Sequence, residues 1–107
     1  MKQRSLLLFE NSIKSKATKK EYFKSLNRFK DFFKLKDFDS IIQMEEKQLQ
    51  IMIEYYVLEI KNYLSPNTIP TRIFPIQIFC DVNDVVINWK KIRRLFPAKV
   101  KRSGAKT

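Results

Sequence analysis

Glycine is nearly missing from this chain: one occurs in 107 residues, at Gly104. Two-residue hairpin turns need φ > 0 at their centre, which glycine supplies at least steric cost. A many-stranded β protein would need several such turns, and four prolines do not replace them. Helix is the architecture that remains. Hydrophobic residues make up 44% of the chain, nine of them Phe, so a packed interior is available. Disordered chains carry fewer aromatics and less apolar material. The length suits one domain around one modest core.

Apolar spacing divides the chain into four helices. The first is predicted over Lys16–Phe33, with Ser15 as N-cap and Thr18 with Glu21 as an alternative capping box. Tyr22, Leu26, Phe29 and Phe33 step by four, three and four along one face. Lys16, Lys20 and Lys24 step by four along another, with Lys34 near the same stripe. A second helix fits Glu45–Leu64 through Leu49, Met52, Ile53, Tyr56, Ile60 and Tyr63, and Phe38, Ile41 and Ile42 can pack beneath it. Ser65-Pro66 reads as a cap and first position of a third helix carrying Ile69, Ile73, Ile76, Phe79 and Cys80. Pro70 and Pro75 predict that this helix kinks or starts late. Asp81–Asp84 reads as a turn. Asn88 caps a short fourth helix that Pro97 stops, with Trp89, Ile92 and Phe96 inward and Lys90, Arg93 and Arg94 outward. Residues 1–97 form the predicted helical domain and 98–107 a basic linker or tail.

Charge is large and unevenly placed. Lys and Arg number 22 against 11 acids, a net charge of +11. Residues 14–36 hold nine basics and two acids, 37–64 two basics and six acids, and after Asp84 come eight basics and no acid. Two positive regions flank an acidic middle, which points to a polarised surface. The partners such a surplus attracts are nucleic acid, anionic membrane or acidic protein. A basic stripe can track the phosphates of duplex DNA, spaced at about one charge per 1.7 Å of axis. Basic side chains on phosphate fix position, and side chains at base edges read sequence. Any one stripe alone is better read as a solvated helix face; two stripes and a basic tail, separated by an acidic segment, shift the balance toward binding.

Chemistry is scarce by comparison. The chain has no His, which removes Ser-His-Asp and Cys-His pairs and the common His-bearing metal sites. Outside Gly104 there is no glycine to build a phosphate-cradling loop. Glu45 and Glu46 read as favourable charges near a helix N-terminus. No catalytic residue, metal or cofactor is expected. Cys80, the lone cysteine, excludes an intrachain disulfide and favours a reducing, cytoplasmic setting. No apolar run approaches the roughly 20 residues of a membrane span, and Leu6–Phe9 is shorter than a signal-peptide core. Phe23, Phe29, Phe32, Phe33, Phe79, Trp89 and Phe96 could stack bases, but their helical spacing favours core packing.

Several of these residues occur in a familiar order: Ser15-x-x-Thr18-x-x-x-Tyr22-x-x-x-Leu26-x-x-Phe29, then Ser65-x-x-Thr68-Ile69, then Asn83-Asp84 and Ile87-Asn88-Trp89-Lys90-Lys91-Ile92. Over about residues 10–100 the chain resembles the N-terminal core-binding domain of tyrosine recombinases, the phage integrases, especially archaeal forms. The resemblance implies an all-α, SAM-like four-helix fold that packs on one face of a recombination site and clamps the duplex together with a later catalytic domain. The family's Arg–Lys–His/Arg–Tyr active site belongs to that later domain. Tyr22, Tyr55, Tyr56 and Tyr63 fall instead in the predicted binding-domain helices. By resemblance, Ser15, Lys16, Thr18 and Lys19 meet phosphates at the start of the first helix, and the basic face of the fourth lies toward the groove. Pro70 and Pro75 depart from the family pattern.

Taken with the resemblance, which alone implies the recombinase setting, these readings lead us to expect a duplex-DNA-binding domain of a site-specific recombinase or integrase that holds DNA without cutting it. Its candidate contacts are Ser15, Lys16, Thr18, Lys19, Lys20, Lys24, Lys90, Lys91, Arg93, Arg94, Lys99, Lys101 and Arg102. Other recombinase protomers on the same DNA are possible further partners, and neither a membrane nor a small-molecule substrate is expected. The alternatives are a stand-alone basic helical adaptor (a truncated integrase or accessory factor) and a basic module for acidic proteins or membrane surfaces.

Overall fold

The computed structural model describes residues 3–98, and helix is the only regular structure among them. The elements run α1 (Arg4–Ser12), α2 (Lys16–Phe32), α3 (Asp39–Gln43), α4 (Glu46–Ile60), α5 (Ile69–Val82) and α6 (Trp89–Arg94). The all-helical expectation holds. Four of the six answer to the predicted helices, and α1 and α3 are additional.

The predicted caps explain two of the starts. The Ser15 hydroxyl accepts a hydrogen bond from the Thr18 backbone N–H at 3.3 Å, so α2 begins where its side chain satisfies a donor the helix leaves orphaned. The Asn88 side chain accepts from the Lys91 N–H at 3.1 Å and starts α6 in the same way. Lys34 has φ 53 and lies past the end of α2, so it does not extend the lysine stripe as the spacing suggested.

Two boundaries move. α4 ends at Ile60, a turn earlier than predicted, and the chain closes into turns at 61–63. Tyr63 thereby leaves the helical phase and is 65% exposed, where its spacing had placed it in the core. Ser65-Pro66 does not open a helix. α5 starts late, at Ile69, with Thr68 as N-cap. Pro70 then falls in the first turn, where no backbone donor is needed. Pro75 remains inside the helix and is buried, leaving the Thr71 carbonyl without its usual helical donor.

α5 is apolar around most of its circumference, which marks a helix buried among others. It packs chiefly on α2 and α1 and also on α4. Phe9 of α1 meets Phe79 of α5 edge-to-face at 5.8 Å, and Phe38 meets the same ring at 6.3 Å. Phe29 of α2 meets Tyr56 of α4 at 5.1 Å. Offset and edge-on ring pairs of this kind add about 0.5–1.5 kcal/mol beyond burial. The aromatics therefore serve the core as their spacing indicated: Phe29 and Phe79 are fully buried, and Phe23, Phe33, Trp89 and Phe96 are partly buried against them. Phe32 is partly exposed yet stacks edge-on with Tyr56 at 5.1 Å.

Candidate nucleic-acid interface

α6 has only six residues, too few to be stable alone, so its neighbours must hold it. Ile92 is its fully buried anchor. Side chains of α4, and of Lys61 just past its end, fasten the segment around it. Gln50 Oε1 accepts from the Asn88 N–H at 2.8 Å, Glu46 accepts from the Val86 N–H at 3.1 Å, and Lys61 Nζ donates to the Leu95 carbonyl at 3.3 Å. Glu54 completes the junction, accepting from Gln50 at 2.8 Å and pairing with Lys91 at 3.2 Å. The Gln50 hydrogen bond holds the Glu54 carboxyl below its ordinary range; burial opposes it, and the Lys91 hydrogen bond and charge add to the lowering.

This fastening sorts the basic residues of α6. Lys91 spends its charge on Glu54. Lys90 and Arg94 are exposed and form no ion pair among the described residues; with Asn88 and Lys91 they line a shallow concavity. Arg93 takes a different position. Its Nη2 donates to Gln77 Oε1 of α5 at 2.8 Å, over a cleft walled by Pro70, Ile73, Phe74 and Phe96. Trp89 also lines this cleft, and its indole N–H is buried without a hydrogen-bond partner.

α2 reaches the same surface through a ring contact. Tyr22 meets Phe74, itself 47% exposed, edge-on at 5.9 Å. Thr18 and Lys19 lie within about 60° of Tyr22 around the helix, given 3.6 residues per turn, and both are half-buried. Lys16, Lys20 and Lys24 lie about 120–160° away, on the outer face, and all three are exposed. Lys24 pairs with Glu21 at 3.5 Å, a solvent-screened contact of small energetic weight. The first group of candidates thus splits over two faces of α2. Ser15 is occupied by its own helix cap. Lys99, Lys101 and Arg102 lie outside the described residues.

Gln77 and Phe74 were missed among the candidate contacts. Gln77 is a polar residue between Ile76 and Ile78 in the most apolar helix, and that interruption was its only sequence signal. Phe74 carried none, because an aromatic in an apolar run reads as core.

Comparison with family models, with curated proteins and with solved structures finds no match to this chain.

Proposed function

We propose that this chain is a duplex-DNA-binding domain of the core-binding type, from a site-specific tyrosine recombinase or integrase, which holds DNA without cutting it. On this reading α2, α4, α5 and α6 are the four helices of a SAM-like domain, and α1 and α3 are additions that close its base. One observation carries the proposal. Lys90, Arg93 and Arg94 stand exposed on a short helix that is fastened from behind by the acidic helix α4, so positive charge is held on one side. A helix of that width enters a major groove. Lys16, Lys20 and Lys24 add a second cationic face for phosphates further along the duplex.

Titration of labelled duplex, single-stranded DNA and anionic vesicles at several salt concentrations tests it. The expected result is duplex binding with Kd on the order of 10⁻⁴–10⁻⁶ M at physiological salt, falling steeply as salt rises. Preference for vesicles over duplex would overturn the reading. A protein-interaction module is the second reading, and one observation favours it. Ile51, Tyr55 and Leu58 recur at helical spacing on the outer face of α4 and are all exposed.

A further inference from the structure

Four basic side chains crowd α6, yet they stand in two chemically different settings. Lys90, Lys91 and Arg94 border an open concavity whose other lining residue is Asn88. Lys90 and Arg94 are held there by no side-chain partner among the described residues and suit phosphate, which carries no sequence information. Arg93 stands in the other setting. Its guanidinium is tethered to the Gln77 amide oxygen at 2.8 Å, beside the apolar wall of Pro70, Ile73, Phe74 and Phe96.

Resting on the duplex-binding reading, we propose that Arg93, braced by Gln77, reads a guanine edge in the major groove while Lys90 and Arg94 hold the backbone. A guanidinium has five N–H donors in a planar fork. The Gln77 contact engages one terminal nitrogen and leaves the rest of the fork available for the paired acceptors O6 and N7 of guanine. No carboxylate among the described residues pairs with Arg93, so its charge is not neutralised within the domain. Gln77 accepts through its oxygen, which leaves its amide N–H₂ as a further donor beside the fork. Holding the side chain before binding also lowers the conformational entropy lost on contact. A lysine at 93 would keep the charge and lose the fork.

Selection from a pool of duplexes randomised at their centre tests the pair. Wild type, Arg93→Lys, Gln77→Ala and Arg94→Ala are compared, each first checked for native helical content. Wild type should enrich guanine at one position on the order of tenfold. Replacing that guanine by 7-deazaguanine, which lacks the N7 acceptor, should remove most of the gain. Arg93→Lys should bring the preference close to unity with an unchanged salt slope, and Gln77→Ala should weaken it in the same direction. Arg94→Ala should lower affinity for all duplexes alike. Steep salt dependence with no enriched base, or a guanine preference that survives Arg93→Lys, overturns the base-reading pair and leaves the duplex-binding reading standing. Failure of the wild type to bind any duplex overturns both. Should Arg93→Lys lose native helical content, Gln77→Ala decides: an undiminished preference there overturns the pair.

Discussion

Gln3 and Asp39 cap each other's helices across 36 residues of chain. The Gln3 side-chain oxygen accepts from the backbone N–H groups of Phe38 at 2.6 Å and Asp39 at 3.0 Å, at the start of α3. The Asp39 carboxylate in turn accepts from the Ser5 N–H at 3.2 Å, in the first turn of α1, and from the Ser5 hydroxyl. Each side chain satisfies donors that its partner's helix leaves orphaned. Truncating either to Ala should cost about 0.5–2 kcal/mol, the usual range for a lost cap. The double variant should be less destabilised than the sum, because both lose one shared junction. Urea unfolding of the three variants measures this, and strict additivity would show two independent caps.

α1 should behave as part of the core. Phe9 is fully buried against Phe79, so Phe9→Ala should cost about 3–5 kcal/mol. Leu7, on the exposed side of the same helix, should tolerate Ala with a shift of about 0.5 kcal/mol or less, as surface sites do. Equal shifts in the denaturation midpoint would mean that α1 packs differently.

Trp89 carries a buried indole N–H without a partner, and such a group costs about 1–3 kcal/mol in desolvation. Trp89→Phe removes that donor and keeps an aromatic body against the core. Stability should stay level or rise slightly, although a large side chain is being trimmed. A loss above about 2 kcal/mol would indicate that packing of the indole outweighs the orphaned donor.

Acid should loosen the α4–α6 junction through Glu54. Its folded pKa is depressed, by the Gln50 hydrogen bond first and by Lys91 after it. A depressed carboxyl contributes stability that is present above its unfolded value, near 4.5, and is lost as pH falls through the lower folded value. Glu54→Gln should therefore be less stable than the wild type at neutral pH, and the gap should close below about pH 4.5. Urea midpoints measured across that range check the sign, and a gap that widens in acid would refute it.

On the DNA side, Lys90→Glu with Arg94→Glu should weaken duplex binding and flatten the log K against log salt slope by about two or more. Lys47→Glu, on the exposed side of α4, should change it much less. Lys61 is unsuited as a control because its Nζ holds the Leu95 carbonyl next to α6. Equal losses from the Lys90/Arg94 and Lys47 variants would mean that charge acts only in bulk.

Local chemistry determined much of this protein. Scarce glycine and i, i+3, i+4 apolar spacing are enough for an all-helical chain, because backbone hydrogen bonds in a helix close within four residues. Ser15 and Asn88 announced two helix starts for the same reason: a cap reaches only three residues along. Phe29, Ile53, Ile76 and Ile92 were legible as core from period alone. α1 was legible in principle, since Leu6, Phe9 and Ile13 step by three and four and are all buried, but a nine-residue helix has little local strength without a surface to lie on. Tertiary contact decided the rest. Gln3 had to meet Asp39 for α1 and α3 to be capped, Lys91 to meet Glu54 for its charge to be spent, and Arg93 to meet Gln77 for one cation of four to stand apart. These partners lie 16 to 37 residues apart, and no pattern within one helix encodes which face of another it will touch.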